Sequence, residues 1–68
     1  MSLVISKAIK LIDLVAEGVD NLSDIAAASD MSRSTTHRLL ATLVENNYLM
    51  LDAKRYGLGF RLLELGEQ

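Results

Sequence analysis

Apolar positions recur at helical spacing through three successive blocks of the chain, then at strand-like spacing, then at helical spacing again. The first block, SKAIKLIDLVAEG, places Ile5, Ala8, Ile9, Ile12, Val15 and Ala16 on one stripe, with Lys7, Lys10, Asp13 and Glu17 opposite. This predicts an amphipathic helix whose core side is that stripe. Leu11 and Leu14 widen the apolar arc and predict a second packed surface, and Gly18 supplies a helix stop. In the second block, NLSDIAAASD, Asn21 can cap the first amides and Asp24 suits the positive end of the helix dipole. Ile25, Ala26 and Ala28 give that helix a slim body which a neighbour can approach closely.

The DMS segment interrupts the pattern, and Ser32 can cap a third helix running to about Asn46. At 100° per residue, Thr36, Leu39, Leu40, Leu43 and Asn47 share one face, so the leucines define its buried side. After Asn46-Asn47, YLML reads as a strand, DAK as a tight turn and RYGLG as a return strand. FRLLELGEQ then begins another helix, with Phe60, Leu63 and Leu62 or Leu65 apolar. Two short helices joined by a tight turn, followed by a hairpin, predict a mainly α fold of winged helix-turn-helix type. It has three helices, a short two-stranded β-hairpin wing and the start of a fourth helix.

Composition narrows the function. Sixty-eight residues make one small domain, and half of them are hydrophobic, more than so small an interior can hold. Part of the apolar surface is therefore expected to be covered by a partner chain or by sequence absent from this chain. With no Cys and one His, a disulfide framework and a protein-built zinc site are both excluded, and no cofactor is expected. The longest apolar run is far short of the ~20 residues of a bilayer span, and no signal peptide is visible, so a cytoplasmic protein without membrane contact is expected.

The net charge of −2 argues against nucleic acid, yet its distribution argues for it. Acids collect at Asp13, Glu17, Asp20, Asp24 and Asp30, whereas Met31 to Val44 contains none and holds Arg33, His37 and Arg38. Lys54, Arg55 and Arg61 form a second basic group. In the third helix, Ser34, Arg38, Ala41 and Glu45 point away from the leucines, with Thr35, His37 and Thr42 on the flanks. A major groove about 12 Å wide admits such a helix, Arg can bond guanine bidentately, and Ser and Thr can bond bases or phosphates. Ser32 and Ser34, with the free amides of the first turn, suit a phosphate. The candidate DNA contacts are thus Ser32, Arg33, Ser34, Thr35, His37, Arg38 and Thr42, with Lys54 and Arg55 at the hairpin tip. Each residue alone fits an ordinary capped, solvated helix; their assembly in one unit favours DNA. Lys7 and Lys10 read as a solvated face, and Tyr48 and Tyr56 as filling between hairpin and helices. No nucleophile, base and orienting group come together, so no catalytic residue is expected and the chain is not an enzyme.

The segments KAIKLIDLVAEG, LSDIAAASDMSRSTTHRLLATLVENNYL and RYGLGFRLLELG resemble the N-terminal DNA-binding domain of the IclR (isocitrate lyase regulator) family of bacterial transcription factors. The resemblance runs from about Leu3 to Gly66. It implies a DNA-binding domain over residues 1–59, with the helix-turn-helix at about 22–46 and the wing at about 48–58. Residues 60–68 then begin a linker helix, and a C-terminal domain absent from this chain would bind a small-molecule effector. It further implies a homodimer or tetramer on a pseudo-palindromic, double-stranded operator. By position, Arg33, Ser34, Thr35, His37 and Arg38 match the start of the recognition helix, and Lys54 and Arg55 match the wing. The alternative function is a winged helix that binds another protein and ignores DNA. Thr36 departs from the small aliphatic residue usual at its position, which predicts a hydroxyl bonded to the Ser32 carbonyl.

Overall fold

The computed structural model describes residues 3–67. Its elements are α1 (Leu3–Ala16), α2 (Leu22–Ser29), α3 (Arg33–Glu45), β1 (Leu49–Asp52), β2 (Arg55–Leu58) and α4 (Phe60–Gly66). The two strands form one antiparallel hairpin in which Leu49 faces Leu58 and Asp52 faces Arg55. The expected winged helix-turn-helix is present, with the predicted elements displaced by up to three residues at their ends; the expected last residue of the fourth helix, Gln68, lies outside the described residues.

Each of the first three helices closes in the same way. After α1, Gly18 adopts φ 100° and its N–H meets the Val15 carbonyl, while the Val19 N–H reaches back to Leu14 at 3.0 Å. Asp30 and Asn47 take the left-handed position after α2 and α3, with Met31 bonded to Ala26 and Tyr48 to Leu43. These are Schellman closures, in which the residue after the left-handed one turns an apolar side chain inward. Val19 and Met31 do so against the core, and Tyr48 is half-buried. The starts of α2 and α3 are capped as their sequences predict: Asn21 accepts from the Asp24 N–H at 3.0 Å and Ser32 from the Thr35 N–H at 3.2 Å.

The core joins Leu11, Leu14 and Val15 of α1, Ile25 of α2, Leu40 of α3, Leu49 of β1 and Tyr56 of β2. On α1 this corrects part of the stripe expected from the sequence: Val15 is buried and Ile12 packs against the core as expected, but the rest of the inner side differs. Leu11 and Leu14 are buried, while Ile5 and Ile9 are more than half exposed and Ala16 is exposed. Both arcs of α1 are apolar, and α2, α3 and β2 pack on the side of Leu11, Leu14 and Val15, so Ile5 and Ile9 form an outer apolar face. Leu3, Val4, Phe60 and Leu63 are also exposed. The surplus of apolar residues is thus surface, as the composition implied.

Gly59 joins the wing to α4. Its N–H extends the ladder to the Tyr48 carbonyl at 2.8 Å, and the Arg61 N–H bonds the Asn47 carbonyl at 2.9 Å. The backbone there passes so close that a β-carbon on Gly59 would fall on the Asn47 carbonyl oxygen and 2.7 Å from the Tyr48 carbonyl carbon.

Candidate nucleic-acid interface

Helix α3 is divided lengthwise. Thr36 and Leu40 are fully buried and Leu39, Leu43 and Val44 are half-buried, which fixes the helix by its inner side. Ser34, His37, Arg38, Ala41 and Thr42 are consequently exposed, and the first carboxylate on this surface is Glu45. The Thr36 hydroxyl donates to the Ser32 carbonyl at 2.8 Å, so Thr36 belongs to the packing. The Thr42 hydroxyl is turned onto the helix, donating to the Arg38 carbonyl at 3.2 Å, and the Thr42 carbonyl accepts from Asn46 Nδ2 at 2.8 Å. Thr35 is half-buried and Ser32 is engaged as the cap, which leaves Ser34, His37 and Arg38 as the forward polar set of α3.

Between the starts of α2 and α3 and the hairpin lies an open cleft of about 430 Å³. Arg33, His37 and Lys54 line it together with Asn21, Ser23 and Tyr56, and no carboxylate does. Arg33 is held there by a 2.6 Å hydrogen bond from its Nη1 to Ser23 Oγ. Lys54 reaches it from the second residue of the turn Ala53-Lys54, where both residues have positive φ, 50° and 65°. Two left-handed residues match the twist of a two-residue hairpin, but neither is the glycine or asparagine that such a turn favours.

Among the sequence-selected residues, Arg33, His37 and Lys54 therefore converge, and Ser34 and Arg38 extend the same face along α3. Arg55 does not join them. Its Nη1 lies 2.8 Å from Asp20 Oδ2, on the loop between α1 and α2. Asn21, Ser23 and Asp20 carry no signal for this site in the linear sequence. Asn21 is visible there only as a cap, and nothing in the linear pattern relates Asp20 to a residue 35 positions away. Among the described residues, no group of three or more His, Cys, Asp or Glu could hold a metal, and no helix is long and apolar enough to cross a membrane.

A helix-turn-helix with a hairpin wing, a capped third helix and a basic, acid-free front defines the class of the domain. Residues 4–53 match the IclR helix-turn-helix domain, and this chain belongs to that family. An IclR transcriptional regulator from Alicyclobacillus acidocaldarius is similar at 25% identity and a TM-score of 0.91, over 98% of this chain and 29% of that one. A putative IclR transcriptional regulator from Silicibacter sp. TM1040 is similar at 30% identity and a TM-score of 0.85, over 98% of this chain and 27% of that one. The chain thus spans under a third of the length of these solved relatives. An O-methyltransferase from neocarzinostatin biosynthesis carries the same fold at 25% identity and a TM-score of 0.73, over 91% of this chain and 21% of that one. No curated protein matches the sequence.

Proposed function

We propose that this chain is the DNA-binding unit of a bacterial transcriptional regulator, with α3 lying in the major groove. The observation that carries this reading is the division of α3: its leucines are committed to the core while Ser34, His37 and Arg38 face out with no acid before Glu45. Ser34 and Arg38 are assigned to base edges or adjacent phosphates, and the cleft of Arg33, His37 and Lys54 to the DNA backbone. Membership of the IclR family supports the same assignment. Residues 1–59 make the DNA-binding domain and α4 begins a linker helix. The remainder of such a regulator would carry the effector site.

Two copies bind together on a pseudo-palindromic operator, joined through the exposed face of Ile5 and Ile9 with α4. The apolar side chains left in solvent on α1 and α4 support this arrangement. A winged helix that binds another protein and ignores DNA is the second reading; the occurrence of this fold in an O-methyltransferase leaves room for it, because the fold is then not confined to transcriptional regulators.

Selection from random-sequence duplexes, followed by titration at rising salt, tests the proposal. Binding whose affinity falls steeply with salt, at paired half-sites about one helical turn apart, is the expected result. No binding at low salt, or no salt dependence, would exclude DNA and leave the protein-contact reading. Arg38→Ala separates roles within α3. A loss of ~1–3 kcal/mol confined to the selected duplex marks a base contact, whereas an equal loss on scrambled DNA marks a phosphate contact.

A further inference from the structure

A two-stranded hairpin is marginal by itself in water, so the direction of this one depends on what it rests against. Buried Leu49 fixes its root, and buried Tyr56, opposite Leu51, anchors the outer half one pair short of the turn. Toward the tip, the strands end in a turn of two left-handed, non-glycine residues. Among the described residues, one side-chain hydrogen bond ties that outer half to the helical body: Arg55 Nη1 to Asp20 Oδ2 at 2.8 Å. The next residue along β2 is held by the same partner, since the Tyr56 N–H donates to the Asp20 carbonyl at 2.7 Å. Asp20 therefore grips two consecutive residues of the wing, one through its carboxylate and one through its backbone.

We propose that Asp20 and Arg55 are positioning residues for DNA binding: their ion pair sets the wing so that Lys54 faces Arg33 and His37 across the cleft, and Arg55 serves there instead of contacting phosphate. The proposal rests on the DNA-binding reading. An arginine that left for a phosphate would leave the half-buried carboxylate of Asp20 without its cation beside a polyanion. Keeping the pair intact avoids that loss and leaves Lys54 as the cation of the tip.

Charge and position predict opposite signs for one substitution, which makes the idea testable. Asp20→Asn removes a negative charge near the DNA and frees a cation, so electrostatics alone predicts tighter binding. Loss of the wing's orientation predicts weaker binding. The experiment titrates a duplex recovered by selection, and a scrambled one, with Asp20→Asn, Arg55→Gln, their combination, Arg55→Asp, and the charge swap Asp20→Arg with Arg55→Asp. Retained exchange protection of the Leu40 amide shows that each variant is folded.

Asp20→Asn is expected to weaken binding about threefold to fivefold, the scale of an exposed ion pair expressed as affinity. The combination with Arg55→Gln should be no weaker than either single change. The slope of affinity against salt should be unaltered in Arg55→Gln. The swap should regain most of the affinity lost by Arg55→Asp, although the wing then carries a carboxylate where the arginine stood. Tighter binding by Asp20→Asn, a slope reduced by about one in Arg55→Gln, or a swap as weak as Arg55→Asp would overturn the proposal. Failure of the unaltered chain to bind either duplex would overturn the DNA reading and this proposal with it; the preceding outcomes overturn this proposal alone.

Discussion

The Ser32 carbonyl accepts from two groups of Thr36, its N–H at 3.0 Å and its hydroxyl at 2.8 Å. Thr36 is fully buried, so this shared acceptor is what lets a hydroxyl sit in the core beside Leu40. Because the backbone bond persists without the hydroxyl, Thr36→Val removes a donor and strands no acceptor. It should change stability by no more than about 1 kcal/mol in denaturant unfolding, in either direction. Its DNA affinity should match that of the unaltered chain. A marked affinity loss in a stably folded Thr36→Val would return Thr36 to the reading surface.

Gly59 is a position of close approach. A β-carbon there meets backbone atoms of Asn47 and Tyr48, which no side-chain rotation can relieve. Gly59→Ala must therefore pull β2 and α4 away from the α3–β1 connection, breaking the bonds of Gly59 to Tyr48 and of Arg61 to Asn47. A destabilisation of about 2–4 kcal/mol is expected, large for one methyl group at a chain junction. Gly66 has open space around its Cα, and Gly66→Ala is the matched control that should melt normally.

At the wing tip, Ala53 occupies the left-handed region at φ 50°. Relief of that conformation should outweigh the entropy glycine adds to the unfolded chain, so Ala53→Gly is expected to stabilise by about 0.5–1 kcal/mol. Thermal unfolding monitored by circular dichroism would show the midpoint rising. An unchanged or lowered midpoint would mean that the turn carries no such strain.

The Arg55 guanidinium beside Asp20 holds the Asp20 carboxyl below the ordinary value of 3.8. A depressed folded value means that the unfolded chain protonates first. The pair's contribution is thus complete above about pH 5 and is lost as pH falls through the folded value. A carboxyl-carbon NMR titration should find Asp20 ionising below 3.8 in the unaltered chain and moving upward in Arg55→Gln. The wing should hold one geometry from neutral pH down to about pH 5.

Much of the fold was legible because its signals are local. Asn21 and Ser32 as caps, Gly18 as a stop and the leucine face of α3 follow from neighbours within one or two turns. The bond from Thr36 to Ser32 was legible for the same reason, being one helical turn in length. The inner side of α1 was only partly legible, because Ile5 and Ile9 continue the stripe of Ile12 and Val15 as well as Leu11 and Leu14 do; only the docking of α2, α3 and β2 chooses between them. Of the candidate site, the basic front of α3 was legible from periodicity. The Asp20–Arg55 pair, the bond of Arg33 to Ser23 and the crowding at Gly59 join distant or backbone atoms and leave no periodic trace.

The peptide unit at Asn47 and Tyr48 has a mechanical consequence. Its two flanking carbonyls are both taken, that of Asn47 by the Arg61 N–H and that of Tyr48 by the Gly59 N–H. The first turn of α4 and the root of the hairpin are therefore bolted to the same short span of backbone. A displacement of the first turn of α4 pulls directly on the backbone at the root of the wing, through Arg61 on Asn47 and Gly59 on Tyr48.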